Sequence, residues 1–234
     1  MPTEMVPLIF FLLNQDAWIH KDTLQKLVET QDDAQLGIVS PIHLNGQGIK
    51  IDQMFFEYTV CREHNNPFVS GLVLGTLSNY YEVAYVNAAA WLISRRVIEK
   101  VGGFDPLFFH YGEDSNYLQR LLFHKEKLAF VPNCYIHHDR EEHGNEQSYK
   151  KRLYTRKLLM EFANINKSML SMDKTRCKFL FYFFLETLSS LFTLKFKQFY
   201  NYCADFILFL TKIGIVIQSR KANRIIGSTW LDLR

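Results

Sequence analysis

The chain has 234 residues, is 48% hydrophobic and carries a formal net charge of +3, enough for one α/β core with an appendage. The charge is uneven: from Asp173 to Arg234 there are ten Lys/Arg against four Asp/Glu, so the first 172 residues carry −3. An acidic body with a basic, aromatic tail argues against a nucleic-acid binder, whose cations would line the main fold, and fits a tail that meets an anionic membrane surface.

In chain order, Met1–Pro7 lacks the basic segment and cleavage site of a signal peptide. Val6–Leu13 (VPLIFFLL) is an apolar run of the kind found in strands buried on both faces, in the middle of parallel sheets. Polar Asn14-Gln15-Asp16 follows, then a predicted helix over about 21–31 and a short strand over Leu36–Val39 stopped by Ser40-Pro41. That strand–helix–strand unit predicts a right-handed parallel crossover. Residues 42–81 are poorly patterned and read as an excursion over the sheet edge, whereas 83–93 are apolar again. A short helix over about 95–101 is stopped by Gly102-Gly103, a glycine taking the left-handed conformation. A helix over about 113–124 and strand segments 128–131 and 135–138, separated by Pro132, complete the body.

From Gln147 the pattern turns helical and basic. Phe179–Leu194 contains a single charge and Phe206–Ile217 is broken by Lys212; both fall short of the roughly 20 apolar residues a transmembrane helix needs. They are expected to be amphipathic helices lying on a membrane or paired as a hairpin. Nine phenylalanines, from Phe179 to Phe209, form the expected apolar surface, with Lys178, Lys195, Lys197, Lys212, Arg220 and Lys221 at its edges. The opposing expectation is that this surface packs inward as ordinary core. The four cysteines, Cys61, Cys134, Cys177 and Cys203, show no CxxC spacing and read as reduced, buried thiols of a cytosolic protein.

Three polar clusters follow apolar strands, where open α/β sheets place ligands. Asp16 suits a hard divalent cation, although a turn or helix-capping role is the common use of such a residue. The segment GGFDPLFFHYGED, residues 102–114, crowds aromatics around Glu113 and Asp114 at a helix start. One acid there can serve the helix terminus; a second suits a general base for an attacking hydroxyl. His137-His138-Asp139-Arg140 suits a metal or phosphate contact. The remaining histidines, His43 among them, have no partner pattern and read as surface or packing residues.

Together, NAAAWLISR (87–95), GGFDPLFFHYGED and VPNCYIHHD (131–139) resemble, in order and spacing, the family-2 inverting glycosyltransferases, in particular a bacterial rhamnosyltransferase-like branch that builds surface polysaccharides. The resemblance covers about Leu8–Arg140, not the tail, and implies a partial nucleotide-diphospho-sugar transferase (glycosyltransferase-A type) α/β sheet over 1–146 with a helical extension over 147–234. It places Asp16 of LNQD on the last acid of the family's metal motif, where Gln15 replaces the usual proline. It makes Asp114 the catalytic base with Glu113 beside it in the acceptor pocket, and His138 the histidine completing the metal or diphosphate site, with His137 as the register alternative. Asn87 and Ala88 fall at the donor–acceptor junction, and Arg120 at a phosphate or structural contact. The implied cofactor is Mg²⁺ or Mn²⁺; the implied partners are a nucleotide-sugar donor and a saccharide or lipid-linked acceptor, at the inner face of the membrane. Similar proteins carry about 80–100 residues of βαβ units before the metal strand, the half that binds the nucleotide base and ribose. Met1–Pro7 stands there in this sequence, which is expected of a truncated or mis-started product or of one part of a split enzyme. A non-catalytic remnant whose tail binds membrane or a partner is the rival expectation.

Overall fold

The structure, a computed structural model, describes residues 10–61, 66–109, 111–140, 153–227 and 230. Among the described residues six strands form one mixed sheet: β1 (Phe10–Leu13), β2 (Ala17–Ile19), β3 (Ile38–Asn45), β4 (Tyr81–Glu82), β5 (Ala90–Ile93) and β6 (Leu128–His138). Their order is β1-β5-β3-β6-β2, with β4 also on β6. β3 and β6 pair in parallel and every other pairing is antiparallel. β1, β3 and β6 therefore share one direction, and their carboxyl ends lie at one edge of the sheet.

Several expectations change. The described part of the apolar run, β1, stands at the end of the strand order, pairs antiparallel with β5 and is half-buried; it is not a central strand covered on both faces. β3 does not stop at Ser40-Pro41 but continues to Asn45, because the register shifts between Pro41 and Ile42. The shift passes over residues 132–134 of β6, where Pro132 has no N–H to give to the ladder. β6 likewise runs through Pro132 as one strand. Only Ala90–Ile93 of the apolar stretch before Ser94 is strand, and all four residues are buried.

Helix α1 (Thr23–Ala34) covers the sheet with Leu27, packed among Leu36, Val39, Leu92 and Ala129. Its buried Gln31 donates from Nε2 to the Leu92 carbonyl at 3.0 Å, so a polar side chain inside the layer is satisfied. The excursion contains α2 (Gln53–Phe55), a π-helical turn (Phe56–Val60) and α3 (Pro67–Leu74). Phe55, Phe68 and Tyr81 from this region pack around Phe130 of β6. Helix α4 (Arg95–Val101) starts on the Ser94 hydroxyl, which accepts from the Val97 N–H, and ends at Gly102 with φ +83.

The chain divides into two compact units: residues 1–103, 121–143 and 226–234 form the first, and 104–120 with 144–225 the second. Residues 104–120, placed by the sequence with the catalytic part, cluster with the C-terminal helices. Helix α5 (Glu113–Phe123) begins in the second unit and ends in the first. The second unit also holds α6 (Leu153–Ala163), α7 (Lys174–Phe192), α8 (Phe196–Thr211) and α9 (Ile213–Asn223). Its core gathers Phe108, Leu158, Leu159, Ala163, Phe209 and Val216.

The expected apolar surface of the tail is split between core and exterior. Phe183 and Phe209 are buried, and Phe179 packs against the core. Phe181, Phe184, Phe192 and Phe196 are exposed. Arg220 is not an edge cation: it is buried and donates to the carbonyls of Phe162, Asn164 and Lys167. Among the described residues no single helix is long and apolar enough to cross a membrane; α8 and α9 pass together but are bent by 49°. All four cysteines are free, yet only Cys134 is buried, so the expectation of four buried thiols fails for Cys61 and Cys177, which are exposed.

Candidate functional site

The carboxyl-end edge of the sheet is assembled by a chain crossing. β1 ends at Leu13, and the Asn14 N–H donates to the Ala89 carbonyl at 2.9 Å. A turn closed by Ala17 N–H to Asn14 O leads into β2, whose Ala17 pairs with His138. Ala17, Ala89, Ala90 and Ile136 form the small cluster beneath the crossing. Small side chains permit that close passage, which is the structural use of the alanines after Asn87. Asp139 N–H then donates to the Asp16 carbonyl at 2.9 Å, locking the turn to the end of β6.

This crossing brings Asp16 and His138 together. His138 Nε2 lies 3.4 Å from Asp16 Oδ1, with the histidine 3% and the carboxylate 44% exposed. One face of the pair is thus fixed in protein and the other opens to solvent. The alternation of β6 puts the neighbouring His137 on the opposite face. There it stacks between Trp18 and His20, at centroid distances of 5.2 and 4.9 Å. Gly48, at φ +71, leaves room for that ring: an added Cβ would stand 2.2 Å from His137 Cε1.

Behind His138 lies a polar chain that joins Arg140, of the cluster singled out in the sequence, to Asp52, which the sequence reading missed. Arg140 Nε is 3.3 Å from His138 Nδ1 and 3.2 Å from Asp52 Oδ2. Asp52 is buried and its other oxygen, Oδ1, accepts from the Phe55 N–H, starting α2. Its one sequence signal is the capping pattern of an acid three residues before Phe55. A guanidinium can only donate, so Nδ1 of His138 accepts and the neutral ring carries its proton on Nε2, toward Asp16. Burial, with the nearby Arg140 charge, holds the His138 pKa below the ordinary histidine value, against the pull of Asp16 and Asp52.

His43 is a buried member of this layer and not a surface residue. Its Nε2 is 3.1 Å from Ser40 Oγ, which donates to the Ala90 carbonyl at 2.9 Å, and its ring meets His138 edge-on at 6.0 Å. Complete burial pushes its pKa well down, with the nearby His138 and Arg140 acting in the same sense; the Asn87 carboxamide acts in the opposite sense. Asn87 is therefore within this cluster, and Ala88 is half-buried one residue along.

The acid pair lies in the second unit. Tyr111 and Gly112 both have positive φ, +64 and +100. They turn the chain sharply before Glu113 and Asp114, the first residues of α5 and both half-buried. A tyrosine at positive φ is strained backbone of the kind that collects at functional sites. The ring is held by the Arg156 guanidinium 4.9 Å from its centroid, and Phe109 beside it is 98% exposed. Asp105 of the same loop is structural: it is buried and accepts from Ser219 and Asn223 of α9 and from the Leu107 N–H. Arg120 is 1% exposed. Burial lowers its pKa against the opposing influence of Tyr117 and Asp105. His110 lies outside the described residues.

No third His, Cys, Asp or Glu joins Asp16 and His138 as a ligand set among the described residues. Mg²⁺ retains several waters and is held by one or two carboxylates with substrate phosphates, and Mn²⁺ shares that preference for oxygen. One open carboxylate beside a neutral histidine fits such a substrate-completed site and does not fit a closed zinc site. No family model matches the chain, and no curated protein is similar to it in sequence.

Proposed function

We propose that the chain is a glycosyltransferase of the nucleotide-diphospho-sugar type, inverting, acting on a nucleotide-activated sugar and a saccharide or lipid-linked acceptor. The observation that carries the reading is the Asp16–His138 pair, an open carboxylate on a buried neutral histidine at the carboxyl edge of the sheet. The three motifs around Asn87, Asp114 and His138 accompany it. Asp16 would hold Mg²⁺ or Mn²⁺, which when bound supplies neutralisation of the leaving diphosphate. His138, its Nδ1 occupied by Arg140, orients Asp16 or donates an Nε2–H hydrogen bond to a phosphate oxygen. Asn87 and Ala88 border the donor. Asp114 takes the proton of the acceptor hydroxyl as that oxygen bonds to the anomeric carbon and the carbon–diphosphate bond breaks. A single displacement inverts the centre, as it does in inverting glycosidases.

The direct test is calorimetric titration of the chain with uridine-, thymidine- and guanosine-diphosphate sugars, with and without Mg²⁺ or Mn²⁺. Cation-dependent binding of one class is expected, and Asp16→Asn should remove the cation dependence while leaving the far-UV spectrum unchanged. Binding of none, or binding indifferent to both cation and Asp16→Asn, would sink the reading.

A further inference from the structure

Helices α7 and α8 are joined by a turn in which Thr193 and Lys195 N–H groups donate to the Ser189 and Ser190 carbonyls. Leu194 there has φ +57, a conformation that favours glycine or asparagine. The inward side of the hairpin is occupied. Phe183 packs on Tyr154, Tyr202 and Phe206 at centroid distances of 4.9, 5.9 and 6.0 Å, and the Tyr154 and Tyr202 hydroxyls both donate to Glu186.

The tip is the reverse. Every residue from Leu191 to Gln198 is exposed, with Phe192 at 80%, Leu194 at 71% and Phe196 at 61%. From Thr187 to Ala204 the only charged residues are Lys195 and Lys197. Bulky apolar groups at a strained turn, interleaved with lysines and free of acids, do not suit water. Nor do they suit an acidic protein groove, which would call for fewer protruding rings. They match an anionic lipid interface, where rings and leucine enter the acyl boundary and lysine stems reach back to the headgroups.

We propose that the α7–α8 tip is an interfacial anchor that inserts Phe192, Leu194 and Phe196 into an anionic bilayer, with Lys195 and Lys197 on its headgroups. The anchor rests on this hairpin alone and is read without any sugar donor, so its failure and that of the transfer reading are separable. The experiment is flotation of the full chain with phosphatidylcholine vesicles containing phosphatidylglycerol, and with phosphatidylcholine alone. The chain should float with the first, less so in high salt, and poorly with the second. Two variants should each lower the partition coefficient about tenfold or more: Phe192→Ser with Leu194→Asn, and Lys195→Glu with Lys197→Glu. Asparagine suits the left-handed turn, so the first variant keeps the fold, as circular dichroism would check. No flotation on anionic vesicles, or unchanged flotation of both variants, overturns the anchor. So does a vesicle-free dimer that Leu194→Asn dissociates while no variant floats, which would make the tip a contact between copies.

Discussion

The base role proposed for Asp114 rests on chemistry that one substitution isolates. Asp114→Asn keeps size and hydrogen bonding but cannot accept a proton, so sugar transfer should fall about 10²–10⁴-fold, with nucleotide-sugar binding by calorimetry unchanged. Glu113→Gln should leave most of the turnover; the opposite ranking would move the base to Glu113. The cysteines offer a second reading at this scale. Burial pushes the Cys134 thiol up to about 11, and only the thiolate is nucleophilic. Folded protein treated with iodoacetamide at neutral pH should therefore be alkylated at Cys61 and Cys177, which are exposed, and not at Cys134. Mass spectrometry before and after denaturation reads this directly, and early labelling of Cys134 would contradict its burial.

At the scale of elements, the segment between α6 and α7 is held by side chains and not by a ladder. Arg176 is 1% exposed, and its guanidinium donates to the carbonyls of Glu161, Ser168, Met169 and Ser171. Arg220 does the same from α9 to Phe162, Asn164 and Lys167. Buried backbone carbonyls deprived of their donors bear the desolvation cost. Arg176→Met keeps the stem and removes the donors, and should destabilise the helical unit by about 3 kcal/mol. A urea midpoint unchanged in Arg176→Met would show that water replaces the guanidinium without loss.

The two units each contain their own apolar cluster, one on the sheet around Leu27 and Leu92 and one among the helices around Leu158 and Phe209. All three tryptophans, Trp18, Trp91 and Trp230, belong to the first unit. Tryptophan fluorescence therefore reports the sheet, whereas most of the helix signal comes from α6 to α9. Probes that report different cooperative units give separate transitions. In Arg176→Met the far-UV midpoint should drop by more than the fluorescence midpoint; equal displacement of both would mean that the whole chain unfolds as one unit.

The sequence by itself determined what depends on neighbours along the chain. Helix α4 spans the predicted 95–101 and stops at Gly102, because a glycine after the last turn takes a positive φ, here +83 with ψ −156 in place of the expected left-handed turn, at little cost. The polar turn at Asn14–Asp16 and the short, interrupted helices of the tail were likewise legible from local sequence. Tertiary structure decided what depends on pairing and burial. Pro41 looked like a stop but sits at a register shift, because a neighbouring strand was there to carry β3 onward. Periodicity gave the tail an apolar surface, yet packing alone selected Phe183 and Phe209 for the core and left Phe192 and Phe196 outside. The resemblance set His138 ahead of His137 as its register alternative, and the Ala17–His138 pairing places His138 against Asp16 and His137 against Trp18. His43, Asp52 and Arg140 acquired their roles only when strands distant in sequence met. Their burial and the hydrogen bonds that offset it are properties of the assembled sheet and of no segment alone.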